Sequence, residues 1–299
     1  MPIRDLLLIF LVCLAWAFNF IAAAKGMQHF SPYVFMVLRF GLVLAVLVPF
    51  LRWPPPGQWP RLAGVCLCIG ALHFTTLFWA IGHSQDVSSI AISQQTYIPM
   101  AVILAMLILG ERVGWPSLTA IAVAFSGVVV LSFDPLMVTQ LNVLGIALLS
   151  ALFQALGSVY MRGISGIGVF SFQAWTALIS LPVLLGVSWL METDQLQSLA
   201  SARWLDWASV VYSALVASIV GHGLFFFLVQ RHPVSSIMPY LLLTPLTAVL
   251  LGVLIWGDRP GWRLLLGGVL VLSGILVVTL RALKKARSSA PAQQRRHRA

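Results

Sequence analysis

Arg39 is the first residue of this chain on which a function could rest. It sits about two turns into an apolar segment, where a charge costs roughly 2.5–3.5 kcal/mol on insertion scales. One interpretation is an anchor for the carboxylate of a solute, because the guanidinium fork matches that anion. The other is a side chain that snorkels to the outer interface or binds backbone carbonyls at a helix break. Both stay open, and the sequence favours the second, because an arginine near a helix end can reach water.

Two histidines also lie within apolar segments, at nearly equivalent positions of two similar halves of the chain. His73 and His222 are 149 residues apart, whereas the halves repeat at 147. A histidine titrates near neutral pH and could couple a proton to the movement of a solute. A neutral histidine that hydrogen-bonds between helices fits the sequence equally well.

The remaining candidates are amide, hydroxyl, aromatic and prolyl side chains within apolar segments. They are Trp16, Asn19, Trp79, Gln94, Gln95, Tyr97, Gln154, Ser158, Tyr240 and Thr244, with Pro99 and Pro245. The polar members either contact a solute or join helices by hydrogen bonds. Gln94 and Tyr97 share a helix face by their i,i+3 spacing, so at most one of Gln94 and Gln95 is expected in a given cavity. The two prolines fall mid-segment, where they serve either a gating bend or a fixed kink.

The tryptophans and tyrosines divide into two predicted groups. An aromatic cavity for a partly apolar solute is predicted from Trp16, Trp79, Trp175, Tyr97 and Tyr240. Anchoring at the membrane interface is predicted for Trp53, Trp59, Trp189, Trp204 and Trp256.

Carboxylates are missing from the centres of the apolar segments, since all eight acidic residues lie at or outside segment ends. An organic-cation antiporter of the small multidrug type needs a mid-membrane carboxylate, so neutral or zwitterionic solutes fit better. Glu111 and Asp258, each followed by an arginine, are interpreted as helix-end charges that pair locally, with Gly110 and Gly257 ending the helices. The three cysteines show neither a disulfide framework nor a metal-site spacing, so no metal and no cofactor are predicted.

These side chains must be positioned by helices that cross a membrane. Hydrophobic residues make up 60% of the 299 residues and charged residues 9%, with a mean hydropathy of +0.97, which excludes an ordinary soluble protein. A span needs about 20 apolar residues. That rule gives ten spans, at 5–25, 33–51, 61–82, 87–109, 116–134, 141–161, 169–191, 207–229, 234–256 and 260–281. The predicted fold class is all-α, a polytopic membrane protein of ten transmembrane helices.

A repeated stretch of sequence predicts how these helices are arranged. Residues 87–131 return without a gap as residues 234–278, so that Trp262 matches Trp115 and Gly274 matches Gly127. Each unit, 5–134 and 141–281, holds five spans, and an odd number puts the two units in opposite orientations. The sequence therefore predicts two inverted five-helix repeats followed by a basic tail at 282–299.

The distribution of basic residues predicts the orientation in the membrane. With the N-terminus in the cytoplasm, thirteen Lys and Arg residues face the cytoplasm and four face the other side. Seven of the thirteen lie between 281 and 298, so the tail decides much of the margin. Both termini are expected in the cytoplasm. The formal charge of +10 suits contact with anionic lipid through this tail rather than with nucleic acid.

Several short motifs occur in a fixed order along the chain. They are Trp16-Ala-Phe-Asn19-Phe, Leu38-Arg39-Phe40, Gly110-Glu111-Arg112 and Ser126-Gly127-Val-Val-Val, with their second-half copies. Together they resemble the drug/metabolite transporter superfamily and, within it, the EamA-type exporters, over nearly the whole chain. The chain looks most like the O-acetylserine and cysteine exporters, with the aromatic amino acid exporters as close neighbours.

The resemblance implies ten spans with both termini cytoplasmic, the bacterial inner membrane, and a central cavity lined by spans 1, 3, 4, 6, 8 and 9. It also implies export of amino acids or related metabolites. Gln154 and Ser158 depart from the pattern, because many relatives carry a Trp and an Asn there. The identity of the substrate therefore does not carry over.

The predicted function is a secondary transporter that exports amino acids or related small neutral or zwitterionic metabolites by alternating access. The alternative is an intramembrane enzyme or lipid-handling protein, but the chain has no His-Glu-x-x-His helix, no paired membrane aspartates and no Gly-x-Ser-x-Gly setting. A channel is a third option, and filter signatures are missing. The expected partners are a small-molecule substrate and membrane lipid, without nucleic acid, for a monomer or homodimer.

Overall fold

The apolar runs of this chain form helices, because a backbone inside lipid has to satisfy its own hydrogen bonds. The computed structural model describes residues 1–83, 90, 93–132, 141–256, 262, 266–277 and 280–281. The regular structure in these ranges is entirely helical, without a strand, which confirms the predicted all-α class. Six helical segments are long and apolar enough to cross a membrane, and four shorter apolar helices lie at predicted spans 4, 5, 9 and 10.

The helices follow one another with short connections. The first half contains α1 (Ile3–Gly26), α2 (Pro32–Leu47), a 3₁₀ turn (Val48–Phe50), α3 (Trp59–Cys66), α4 (His73–His83), α5 (Tyr97–Leu109) and α6 (Trp115–Ser132). The second half contains α7 (Leu141–Met161), α8 (Val169–Met191), α9 (Gln195–Ser201), α10 (Trp204–Tyr212), α11 (Gly223–Arg231), α12 (Val234–Leu241), α13 (Leu243–Trp256) and α14 (Leu266–Val277). The predicted basic tail at 282–299 lies outside the described residues.

Two of the long segments contain π-helical turns that the sequence pattern does not reveal. The stretch Leu67–Leu72 joins α3 to α4, and the stretch Ser213–His222 joins α10 to α11. A π turn is wider than an α turn and occurs often at functional sites. His73 directly follows the first stretch and His222 ends the second, so the two predicted histidines sit at the same kind of helix irregularity.

Predicted spans 4 and 9 are each broken once, near their prolines. The helix ahead of α5 stops at a turn at Thr96, and α12 stops at a turn at Leu242. Pro99 and Pro245 are each the third residue of the helix that follows, where a missing N–H costs no helical hydrogen bond. The predicted mid-span irregularity is therefore present in both halves, as a break three residues ahead of each proline.

Small residues explain one motif that recurs in both halves. A Cβ atom added at Gly127 would lie 2.7 Å from the backbone oxygen of Gly267, and one added at Gly274 would lie 2.5 Å from the backbone oxygen of Ala120. The two glycines thus allow α6 and α14 to approach within backbone contact, as small residues do between membrane helices. The repeated Ser-Gly pair is a packing motif, away from the polar residues considered below.

The ends of α2 and α8 show that these two helices run antiparallel. Glu192, just past α8, accepts hydrogen bonds from the backbone N–H groups of Tyr33 at 2.7 Å and Val34 at 3.2 Å. At the opposite end Arg52, just past α2, exchanges hydrogen bonds of 3.0 and 3.1 Å with Ser171 in the first turn of α8. The end of the bundle that contains Glu192 is called the Glu192 end. The opposite end, where α5 and α7 finish, is called the Glu111 end.

Candidate functional site

Two adjoining chambers lie inside the helical bundle. The larger measures about 1070 Å³, including the part open to solvent, and the smaller about 640 Å³. The lining of the larger chamber continues to Met27 and Ile81, towards the Glu192 end, and that of the smaller to Ile69 and Met161. Six side chains border both chambers: Trp16, Arg39, His73, Phe74, Gln154 and His222. Five of these six are among the residues that the sequence singles out.

Most of the other predicted site residues line the larger chamber, which the structure brings together from spans that are distant in sequence. They are Asn19, Gln94, Gln95, Tyr97 and Thr244, while Ser158 lines the smaller chamber. The prediction that at most one of Gln94 and Gln95 reaches a cavity is wrong. Their helix stops at Thr96, and a side chain next to a helix end is not held to one face.

Three predicted members of an aromatic cavity lie elsewhere. The ring of Trp79 stacks on His83 at 4.0 Å and packs in an apolar cluster around Val143. Tyr240 belongs to the main apolar core. Trp175 packs against the tilted ring of Trp53 and edge-to-face against Trp59, and it donates from Nε1 to the backbone oxygen of Arg52 at 2.9 Å. In the described part of the chain only Trp16 and Tyr97 of the proposed five line a chamber, because the other three face neighbouring helices.

Arg39 is 4% exposed and points into both chambers. Its Nε donates to Ser218 Oγ at 2.8 Å, Ser218 Oγ donates to the Ser213 backbone oxygen at 2.9 Å, and the guanidinium carbon lies 5.2 Å from the Phe74 ring centroid. In the described part of the chain, Arg39 thus hydrogen-bonds to a serine hydroxyl and not to a backbone carbonyl.

In the described part of the chain, no carboxylate forms an ion pair with Arg39. The close charge pairs there are His29 with Asp206, Arg162 with Glu111 and His232 with Asp5, all at the two ends of the bundle. Among the described residues, Arg39 is therefore a buried cation whose polar protein partner is a neutral hydroxyl. A buried charge without a counter-ion is costly, and such a residue in a membrane protein marks a functional site by default.

His73 is held in a network between helices. Its Nδ1 lies 2.9 Å from Ser150 Oγ and 3.4 Å from Gln94 Nε2, and Gln94 Nε2 donates to Gln154 Oε1 at 2.9 Å. Ser150 Oγ also donates to the backbone oxygen of His73 at 2.9 Å. These contacts place His73 among neutral hydrogen-bonding groups of α7 and of the helix before α5.

His222 is oriented by the π-helical stretch that it ends. Its Nδ1 lies 2.8 Å from the backbone oxygen of Ala217, and because a carbonyl only accepts, Nδ1 carries the proton. Trp16 packs beside it, with ring centroids 4.9 Å apart, and donates from its own Nε1 to the same oxygen at 3.3 Å. The two rings thus form one wall between the chambers.

Three polar atoms in the wall of the larger chamber have no hydrogen-bond partner within the described residues. They are Asn19 Oδ1, Gln94 Oε1 and Thr244 Oγ1. Gln94 and Thr244 are 7% and 4% exposed. An unmet buried acceptor costs about 1–3 kcal/mol, so the native fold is expected to keep such atoms only where they serve a purpose.

Comparison with known proteins gives this chamber its context. The sequence profile of the EamA-like transporter family matches residues 4–133 and again residues 142–280. The chain belongs to the EamA-like transporter family. It is therefore an integral membrane protein of the transporter class and not an enzyme, which confirms the resemblance found in its sequence motifs.

Two similar proteins cover almost the whole chain, and a third covers 63% of it. A probable amino-acid metabolite efflux pump of Salmonella typhimurium is 30% identical over 284 residues, 92% of this chain and 94% of that protein. A probable amino-acid metabolite efflux pump of Escherichia coli K12 is 28% identical over 282 residues, with the same two shares. A probable terminal-alkyne amino-acid exporter of Streptantibioticus cattleyicolor is 26% identical over 193 residues, 63% of each chain.

The fold is shared with a solved crystal structure. That structure superposes with a TM-score of 0.78 over 93% of this chain and 98% of its own, at 19% sequence identity. The likeness shows the fold of this EamA-like transporter and carries nothing about its solute.

At the Glu111 end of the transporter a set of hydrogen bonds, here called the Glu111 clasp, joins the end of α5 to the start of α12. Glu111 accepts from the backbone N–H groups of Val234 at 2.9 Å and Ser235 at 3.0 Å and from the Ser235 hydroxyl, and Arg162 Nε lies 3.8 Å away. Gly110, in the left-handed region at φ +65°, ends α5 and turns the chain towards α12. The prediction that Glu111 pairs locally is wrong, because it caps a helix 123 residues away. Its repeat partner Asp258 and the neighbouring Gly257 lie outside the described residues.

Several chamber residues were missed by sequence reasoning. Ser218, Gln173 and Thr176 line the smaller chamber together with Phe172 and Phe225, so predicted span 7 contributes to the lining, as span 2 does through Arg39 and Phe40, besides the six spans that the resemblance implies. Serine and threonine are too common in membrane helices to stand out. The signal that could have found Ser218 is its distance of four residues from His222, since both belong to the same helix face.

Proposed function

We propose that this protein exports amino acids or related small neutral or zwitterionic metabolites across the inner membrane by alternating access. Ten helices in two inverted five-helix repeats, 5–134 and 141–281, would surround the two chambers. Paired irregularities support this arrangement: a π-helical stretch before or at each histidine, a helix break ahead of Pro99 and of Pro245, and a glycine contact on α6 and on α14. Inverted repeats of this kind form a site that opens to either face in turn.

The observation that carries the proposal is Arg39. A buried guanidinium that borders both chambers, without a carboxylate beside it in the described residues, suits a solute that brings its own carboxylate. The relatives named above are described as amino-acid metabolite efflux pumps and an amino-acid exporter, which agrees with such a solute.

The two ends of the bundle suggest how access alternates. The Glu111 clasp joins α5 to α12 at one end, while the lining of the larger chamber extends towards the Glu192 end. Arg52, Arg61 and Arg162 lie at the Glu111 end, which the positive-inside rule assigns to the cytoplasm. The structure would then represent the arrangement open to the outside, and release of the Glu111 clasp would accompany opening to the cytoplasm. The breaks ahead of Pro99 and Pro245 are the proposed hinges.

Transport is tested with purified protein in liposomes loaded with a panel of labelled amino acids and neutral metabolites. We expect saturable efflux of at least one carboxylate-bearing solute, and much less efflux with Arg39→Gln at equal protein incorporation. Flux equal to that of protein-free liposomes for every solute would refute the proposal. The orientation is tested by labelling Gly114→Cys and Thr193→Cys in intact cells with an impermeant maleimide, which should react with the second variant alone.

A further inference from the structure

The larger chamber offers three acceptors from three separate parts of the chain. Asn19 lies on α1, one turn beyond Trp16, Gln94 lies just before the break at Thr96, and Thr244 lies in the first turn of α13. All three line the chamber that Arg39 also borders. Unpartnered atoms from three distant segments thus line one chamber. Their spacing in the sequence does not predict this placement.

Neighbouring contacts define what these atoms can do. Gln94 uses its Nε2 to donate to Gln154 Oε1 at 2.9 Å, so its oxygen is the atom left for a ligand. The thiol of Cys13 donates to the Tyr240 backbone oxygen at 3.6 Å and has a weaker side-chain contact with Thr244, whose Oγ1 has no hydrogen bond of ordinary geometry in the described chain. Amide oxygens accept and never donate, whereas a hydroxyl can accept or donate, so a group that donates several hydrogen bonds can complement all three atoms.

An ammonium group has this chemistry. It carries three donors and no acceptor, whereas a hydroxyl offers a single donor. Neutral amide and hydroxyl dipoles can hold an ammonium when the same molecule places a carboxylate near Arg39, because the ligand then enters as a zwitterion without net charge.

We propose that Asn19, Gln94 and Thr244 bind the ammonium group of an amino acid whose carboxylate binds Arg39. This proposal rests on the proposed function and narrows it. The remaining lining of the larger chamber is mostly apolar, including Phe20, Leu77, Phe78, Ile81 and Ile90. The substrate class is therefore the amino acids with an uncharged, apolar side chain. A second ionised group would meet no counter-charge in the described lining.

The test measures binding to the purified protein in detergent, so that it does not depend on transport. The probes are leucine, 4-methylpentanoate, which lacks the amino group, and 3-methylbutylamine, which lacks the carboxylate. In the wild-type protein we expect leucine to bind about tenfold or more tighter than either analogue, the ratio that one charge-assisted hydrogen bond supplies.

Substitutions separate the two parts of the site. We expect weaker leucine binding and unchanged 4-methylpentanoate binding in each of three variants, Asn19→Leu, Gln94→Met and Thr244→Val. The ratio of leucine affinity to 4-methylpentanoate affinity should therefore fall towards one. Arg39→Gln should weaken both leucine and 4-methylpentanoate and spare the amine. Thr76→Val is the matched control for Thr244→Val, because the Thr76 hydroxyl already donates to the backbone oxygen of Leu72 at 2.7 Å. It should keep the wild-type preference.

Two results would overturn the inference. One is equal binding of leucine and 4-methylpentanoate to the wild-type protein, and the other is an unchanged preference in all three acceptor variants that retain wild-type thermal stability. If these binding results are as expected but no solute moves in liposomes, the proposed export fails while the amino-acid site stands. If transport occurs without the amino preference, the export stands and this site is wrong.

Discussion

Polar groups lie inside the protein both in the chamber and in the Glu111 clasp, but the two regions differ in how many of these groups have a hydrogen-bond partner. In the clasp, both carboxylate oxygens of Glu111 accept from donors at the start of α12, and Arg162 adds a positive charge nearby. In the chamber, Arg39 has a single polar partner, and Asn19, Gln94 and Thr244 each keep an atom without one in the described chain.

The difference bears on which region stabilises the fold and which, in the proposed function, receives a solute. A carboxylate that caps a helix N-terminus is favourable to the fold, since it satisfies N–H groups that the helix leaves unpaired and meets the positive end of the helix dipole. Unmet acceptors and an unpaired cation are unfavourable to the fold, and a solute that supplies the missing groups recovers that free energy on binding. Substitutions should therefore affect stability at the clasp and substrate binding in the chamber.

The largest effect is expected for Arg39→Gln in the chamber. Removal of the guanidinium should reduce efflux of carboxylate-bearing amino acids by about 10- to 100-fold, because charge-assisted hydrogen bonds are worth about 1.5–3 kcal/mol. Efflux rates into buffer from loaded liposomes give the measurement, at equal incorporation. Solutes without a carboxylate serve as the control, and an equal loss for them would mean that Arg39 supports the fold and not the solute.

The next effect is expected at the clasp, in Glu111→Gln. The amide keeps one acceptor oxygen but loses the charge at the start of α12, so the free energy of unfolding should fall by about 1–2 kcal/mol. A cysteine placed in the smaller chamber should also become more reactive towards a reagent added from the Glu111 end.

Glu192→Gln is the matched control for this prediction, because Glu192 caps α2 through Tyr33 and Val34 in the same way at the other end. It should lower stability by a similar amount without changing access from the Glu111 end. Equal access changes in the two variants would show that the clasp is not a gate.

A smaller effect is expected for Ser218→Ala. The Ser218 hydroxyl accepts from Arg39 and so positions the guanidinium. Its loss should raise the KM for a carboxylate-bearing amino acid about 3- to 10-fold, as expected for one hydrogen bond of roughly 1 kcal/mol. The maximal rate should change little. Ser218→Thr should restore the KM, since it returns the hydroxyl. A fall in maximal rate alone would contradict a positioning role.

The smallest effect is expected for the two histidines. His73 contacts Ser150 and His222 contacts the Ala217 backbone, so each is engaged in hydrogen bonds between or within helices. His73→Gln and His222→Gln should cost about 0.6 kcal/mol of stability, the mean for hydrogen bonds between membrane helices. The shape of the efflux rate against pH should stay as in the wild-type protein. A lost or displaced pH dependence in either variant would favour the proton-coupling interpretation of the sequence.

Much of the architecture could be read from the sequence. The apolar runs predict the helices within a few residues, as α1 and α7 show, since a span needs a minimum length of apolar residues wherever it occurs. The repeat predicts that features come in pairs, and the breaks at Thr96 and Leu242 are such a pair. The set of polar residues inside the spans could also be named in advance, because polar residues are rare there.

The partners of those residues could not be named. Trp79 and Tyr97 look alike as aromatic residues in apolar spans, yet one stacks on His83 and the other lines the chamber. The choice depends on how each helix is rotated about its axis, and the π-helical stretches and helix breaks change that rotation without a sequence signal. Glu111 is the clearest case, since its partners lie 123 and 124 residues away.

The sequence by itself determined that this protein is a duplicated bundle of membrane helices with a cation inside one span and no carboxylate at the centre of any. These properties follow from composition and order, because lipid imposes the same requirement on every apolar segment. Only the tertiary structure decided that Arg39 faces a chamber, that three acceptors line the same chamber, and that Glu111 caps a helix of the other half. Those relations join residues far apart in the chain, and they are set by the packing of helix against helix.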